Sequence, residues 1–132
     1  MHTRRRWLAL PLLLLPVPTR AAQAWLGAMQ RARQMRDEAV RAGDQPYGAV
    51  VLHGALIVGE APSRVITANN PDAHAEREAL RDALRRLGNA DLAGCVLVST
   101  SRPCRLCEAA AAKVRITRMV YGDALIDAGQ PS

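Results

Sequence analysis

Phenylalanine is absent from the 132-residue sequence, and two Trp and two Tyr are its only aromatic residues. So few rings leave little on which the bases of a single strand could stack. Acidic residues are absent from the first 24 positions, which hold four arginines, Arg4, Arg5, Arg6 and Arg20. The formal charge of +6 therefore belongs mostly to that end, since beyond it fourteen basic residues face twelve acidic ones. A near-neutral body argues against a polynucleotide partner. Repeats, linkers and low-complexity stretches are also absent, and this length bounds the chain to one domain. No apolar run is long enough for a stable membrane span, because Trp7–Val17 is short and broken by Pro11 and Pro16.

Residues 1–24 read as an export signal. Arg4-Arg5-Arg6 forms a positive start, the apolar run follows, and Ala22-Gln23-Ala24 has the form of an A-x-A cleavage site. Thr3-Arg4-Arg5-Arg6-Trp7-Leu8 also resembles the bacterial twin-arginine motif, with Ala9 where Lys is usual. The expectation is a periplasmic or otherwise exported protein, by a twin-arginine or a Sec route. A basic tail that is never cleaved would leave it cytoplasmic.

The body, residues 25–122, alternates helical and strand periodicity. From Trp25 to Arg41 apolar residues recur at helical spacing, ending at Gly43, with Arg31, Arg33, Arg36 and Arg41 as a solvated face. Tyr47–Leu52 and Ala55–Gly59 are strand-like and flank His53-Gly54, a hairpin turn signal. Asn69–Asp72 turns into a second helix, with Asp72 placed to cap it. That helix is expected to bury Ala79, Leu80, Ala83, Leu84 and Leu87 and to stop at Gly88, with Arg77, Arg81, Arg85 and Arg86 outside. Cys95–Ser99 is a third strand, Cys104–Lys113 an alanine-rich helix and Ile116–Tyr121 a fourth strand. The order α-β-β-α-β-α-β contains two β-α-β steps, which favour parallel neighbours and so a mixed sheet. Residues 123–132 read as a short tail without an element.

Two stretches carry the chemistry: His74-Ala75-Glu76, and Pro103-Cys104-Arg105-Leu106-Cys107. A His nitrogen and two Cys thiolates suit tetrahedral zinc, and three protein ligands leave the fourth position for water. Cys104 and Cys107, three apart, share one face of a helix whose start Pro103 suits. A helix N-terminus favours thiolate over thiol. His74 and Glu76 are two apart and can converge on one metal only where a helix begins. Two helix N-termini are therefore expected to point at one Zn2+, bound by His74, Cys104 and Cys107. Glu76 remains beside it as the group that moves protons. A lone C-x-x-C is also found as a redox pair or as half of a structural zinc site. A structural site lacks its fourth protein ligand here. Cys95, within an apolar strand, reads as a small buried hydrophobe.

These residues resemble the cytidine/deoxycytidylate deaminase superfamily, and look most like small bacterial nucleoside, guanine and tRNA-adenosine deaminases. The resemblance runs from about Trp25 to Tyr121. Pro46–Val51 is similar to the family's first strand, Asn70–Glu76 to its D-P-T-x-H-A-E, and Thr100–Cys107 to its T-x-E-P-C-x-M-C. It implies a three-layer α-β-α fold of the α/β class, with a mixed central sheet of about four strands. It also implies a zinc-dependent hydrolase of the CMP/dCMP type, in which activated water attacks an amidine carbon and ammonia leaves. Glu76 would carry the protons, the backbone of Ala75 would contact the base, and Ser63 stands where the family places a base-binding Asn. Arg102 stands where the family has Glu, reversing a charge beside the metal helix. Ala109–Ala112 replace bulky residues, and the family's C-terminal elements are shortened.

The implied partner is a small base or nucleoside, or a related heterocycle. A zinc-stabilised binding module without catalysis is one alternative, and a tRNA adenosine deaminase is another. Retention of Glu76 speaks against the first, and the charge and scarce aromatics against the second. The uncovered sheet edge and the apolar Ala109–Ala112 face imply a homo-oligomer.

Overall fold

A computed structural model describes residues 2–88 and 91–132; Met1, the first residue of the expected export segment, lies outside them. Residues 2–19 are exposed and carry no regular structure. The elements are α1 (Arg20–Arg41), β1 (Gly48–His53), β2 (Leu56–Pro62), α2 (Ala75–Leu87), β3 (Cys95–Ser99), α3 (Arg105–Lys113), β4 (Arg118–Tyr121) and β5 (Ile126–Gly129). They make the expected α/β architecture, with one mixed sheet in the order β2-β1-β3-β4-β5. β1 pairs antiparallel with β2 and β3, β3 parallel with β4, and β4 antiparallel with β5. Only the second β-α-β step yields adjacent parallel strands. After α2 the chain crosses β1 before laying down β3, so β2 and β3 never touch.

Strand alternation divides the core into two layers. Ala49, Val51, Cys95 and Leu97 pack with Ala79, Leu80, Ala83 and Ala111 of α2 and α3. Val50, Leu52 and Val98 face the other way, onto Ala28, Met29 and Ala32 of α1. Cys95 is thus a buried core residue, as its strand context implied. Two glycines let the helices lie close to the sheet. A Cβ on Gly48 would meet the Ala32 carbonyl at 2.1 Å, and one on Gly59 the Ala79 carbonyl at 2.6 Å.

Several local expectations are corrected. Residues 123–132, expected as a tail, contain β5, a sheet-edge strand with Ile126 and Asp127 paired to Tyr121 and Val120. β5 covers β4, so the free edge expected at β4 passes to β5. α1 begins five residues before Trp25, because the Thr19 hydroxyl caps it by accepting from the Ala22 N–H at 3.1 Å. Leu87 is 46% exposed and leaves the α2 core, while the αL residue Gly88 ends that helix as expected. No described helix is long and apolar enough to cross a membrane.

Candidate metal centre and catalytic pocket

The site forms where α2 and α3 begin. The N-cap of α2 is His74, which has extended backbone and makes no side-chain cap bond, so its ring is free to point elsewhere. Asp72, expected as that cap, lies two residues upstream and accepts from Arg77 at 3.1 Å. The N-cap of α3 is Cys104 rather than a first-turn residue, and its sulfur accepts from the Cys107 N–H at 3.4 Å. His74 Nδ1 stands 3.7 Å from Cys104 Sγ and 3.4 Å from Cys107 Sγ. The three donor atoms all lie within 4.8 Å of one another. Tetrahedral zinc with ordinary Zn–N and Zn–S lengths would hold such an N···S pair about 3.6 Å apart. The donor set therefore fits zinc in both type and spacing.

The two thiols are shifted in opposite directions. Burial would raise the Cys104 thiol, but the N–H groups of Cys107 and Leu106, with the charge of Arg77, outweigh it and lower its pKa. Cys107 is fully buried, and burial with the charge of Glu76 pushes its thiol up to about 12, against the pull of Arg77. A coordinating divalent cation deprotonates such a thiol outright.

Glu76 is 4% exposed and sits two residues into α2, facing the sheet. Its Oε1 accepts from the Ser99 hydroxyl at 2.7 Å, and its Oε2 lies 3.8 Å from Cys107 Sγ. A cavity of about 180 Å³ opens onto the site, lined by Gln45, Tyr47, His74, Glu76, Ser101, Arg102 and Cys104. That volume is below the ~300–1,000 Å³ of sites for drug-sized ligands. It suits a single heterocycle.

The other expected site residues lie differently. Ala75 is fully buried and does not line the cavity with its side chain. Ser63 is 2% exposed, and its hydroxyl donates to Asp44 at 2.9 Å rather than lining the pocket. Three residues outside the expected set support the site. Ser99 holds Glu76. Arg77, expected on the solvated face of α2, has a side chain only 11% exposed, and its guanidinium lies against Cys107. Burial would lower its pKa, but Cys107 and Asp72 raise it above the ordinary arginine value. Asp44 accepts from the N–H groups of Gln45, Ile66 and Thr67 as well as from Ser63, tying the loop after β2 to the segment carrying Gln45 and Tyr47. Burial would raise the Asp44 carboxyl, but these donors hold it well below the usual carboxylate range.

Comparison with known proteins agrees with this geometry. The chain is 35% identical over 103 residues to a guanine deaminase of Bacillus subtilis, covering 77% of this chain and 66% of that one. It is 37% identical over 95 residues to a tRNA-specific adenosine deaminase of Haemophilus influenzae, covering 71% and 55%. It thus spans less than two thirds of either relative. A solved guanine deaminase structure from Bacillus subtilis superposes with a TM-score of 0.70 at 35% identity, over 74% of this chain and 62% of that one. Residues 25–123 match the cytidine and deoxycytidylate deaminase zinc-binding region, so the chain belongs to that family and its cofactor is Zn2+.

Proposed function

We propose that this chain is a zinc-dependent hydrolytic deaminase that releases ammonia from a small nucleobase, nucleoside or related heterocycle. His74, Cys104 and Cys107 would hold the metal, and Glu76 would be the catalytic acid and base. One observation carries the reading: a buried carboxylate, fixed by Ser99, lines the same cavity as His74 and Cys104. A purely structural zinc site has no use for that group. Bound zinc supplies the Lewis acidity that makes water a nucleophile near neutral pH. The Glu76 carboxylate takes a proton from the attacking water and delivers it to the ring nitrogen of the amidine. A second transfer protonates the amine, which leaves as ammonia while the ring carbon keeps the oxygen. Ser99 holds one carboxylate oxygen, and the other, 3.8 Å from Cys107 Sγ, lies beside the proposed metal ligands. The finer reading is a nucleotide-type deaminase of the CMP/dCMP kind.

The test is ammonia release by the zinc-loaded protein across purines, pyrimidines, their nucleosides and nucleotides, and pterins. Turnover of at least one member is expected, and none at all would favour the binding-module reading. Similarity to a tRNA-specific adenosine deaminase favours a second reading, adenosine in tRNA. A tRNA anticodon stem-loop in the same panel separates the two.

The N-terminal pattern supports export, by the twin-arginine or Sec route, into the periplasm. Cleavage after Ala24 would remove the Thr19 cap and the first five residues of α1, Ala24 against the core among them, but leave the buried positions Ala28 to Ala39 in place. Replacing Arg4 and Arg5 by Lys should block export by the twin-arginine route alone. Self-association is supported by the groove between α2 and α3, where the half-buried Leu84, Ala110 and Val114 lie beside Arg77, Arg81 and Lys113.

A further inference from the structure

We propose that Arg102 selects a substrate that carries an anionic group, a carboxylate or a phosphate, on the part of the molecule that emerges from the pocket. The inference rests on the deaminase reading for its chemistry and on Arg102 for its specificity. Arg102 and Glu76 are the two oppositely charged groups in the cavity lining. Glu76 is occupied by Ser99. Arg102 makes no ion pair or hydrogen bond among the described residues, although it is exposed where the cavity opens. Zinc with two thiolates is neutral in sum, and the one carboxylate in the lining, Glu76, is bonded to Ser99, so no carboxylate of the lining pairs with this guanidinium. An anionic group on the ligand would.

The segment that bears Arg102 is held firmly. Gly48 N–H donates to the Thr100 hydroxyl at 3.1 Å, and Thr100 N–H returns a bond to the Gly48 carbonyl at 3.0 Å. Pro103, the next residue, is buried and fixes the backbone on the other side. The arginine therefore projects from an anchored root toward a cavity that holds little more than one ring. Beside the proposed metal ligands and Glu76, the lining consists of Gln45, Tyr47, Ser101 and Arg102. A guanidinium presents a planar fork that matches carboxylate and phosphate oxygens in pairs.

The surrounding charges favour a small anion over a polynucleotide. A nucleic-acid backbone needs a track of free cations. On α2, Arg77 is paired with Asp72, Arg81 with Glu78, Arg85 with Asp82, and Arg86 with Asp82 and Glu60. That face offers no such track.

Matched pairs sharing one ring test the proposal: cytidine with cytidine 5′-monophosphate, guanosine with guanosine 5′-monophosphate, and pterin with pterin-6-carboxylate. Equilibrium dialysis and ammonia release are measured on the zinc-loaded full chain and on its Arg102→Glu and Arg102→Lys variants. In at least one pair the anionic member should bind at least tenfold more tightly, about 1.4 kcal/mol. Arg102→Glu should abolish that preference at unchanged zinc content, and Arg102→Lys should keep part of it. Equal binding within every pair, a preference that survives in Arg102→Glu, or no binding to any member would overturn the proposal. So would binding confined to a tRNA anticodon stem-loop. Selective binding of the anion without ammonia would uphold Arg102 and overturn the deaminase reading instead. Ammonia released equally from both members would do the reverse.

Discussion

Asp44→Ala is the perturbation whose cost the structure lets one work out. The carboxylate is 8% exposed and accepts four bonds: from Gln45 N–H at 2.8 Å, Ser63 Oγ at 2.9 Å, Ile66 N–H at 3.2 Å and Thr67 N–H at 2.7 Å. Bonds to a charged acceptor contribute about 1.5–3 kcal/mol each, and a buried donor left without a partner costs about 1–3 kcal/mol. Ile66 and Thr67 are exposed, so water can replace the acceptor there, whereas Ser63 is buried and has no such recourse. The desolvation of the carboxylate offsets part of the gain. The expected net loss is about 3 kcal/mol, or roughly 1–2 M in the urea midpoint for a domain of this size. The pH dependence carries the same signature. The folded pKa of Asp44 lies below its unfolded value of about 3.9. Its contribution is therefore complete above about pH 4 and is lost as pH falls toward the folded pKa. Urea unfolding at pH 7 and at steps below pH 4 should show the native protein weakening steeply in acid, and Asp44→Asn weaker at pH 7 but flatter. An Asp44→Ala protein with an unchanged midpoint and the native acid slope would refute this account of the loop.

Two further changes probe the support of the site. Ser99→Ala removes the donor to Glu76 and should lower kcat about tenfold or more at unchanged zinc content, since that bond aims the carboxylate; kcat equal to the native value in steady-state assays would assign Ser99 to packing alone. Arg77→Gln removes the cation beside both thiols and should weaken zinc affinity about ten- to a hundredfold, the usual effect of losing a partner outside the ligand set; competition with a calibrated chelator measures it, and native affinity would show that Arg77 serves only Asp72.

How far the fold was legible follows from how each element is stabilised. The first helix, the hairpin, α2 and the β3-α3-β4 unit show their period because each buries one face, as Val51 against Val50 and Ala79 with Ala83 show. β5 escapes such reading because an edge strand with exposed Ile126, Asp127 and Ala128 has no buried face to impose alternation. The start of α1 was hidden by the competing pattern of a cleavage site, although Pro18-Thr19 followed by Ala-rich residues is also a helix start. The three positions of the candidate zinc site, His74, Cys104 and Cys107, were readable because their types and spacing suit coordination chemistry. The supporting residues were not. Arg77 looks in sequence like its neighbours Arg81, Arg85 and Arg86, and only the packing of α2 against α3 turns it inward. Ser99 ends a strand like any small polar residue, and its partner Glu76 is 23 residues away. Ser63 stands where the family resemblance implies a base-binding Asn, yet its short side chain donates to Asp44 within the loop.

The most direct test of the central claim measures zinc content and ammonia release together in the native protein, Glu76→Gln and His74→Ala, on the best substrate of the panel. Native protein should hold one zinc per chain and release ammonia. Glu76→Gln should keep its zinc and lose at least about a hundredfold in rate, the usual contribution of such proton transfer. His74→Ala should lose both. Unchanged turnover in Glu76→Gln, or native zinc content in His74→Ala, would contradict the assignment of these residues.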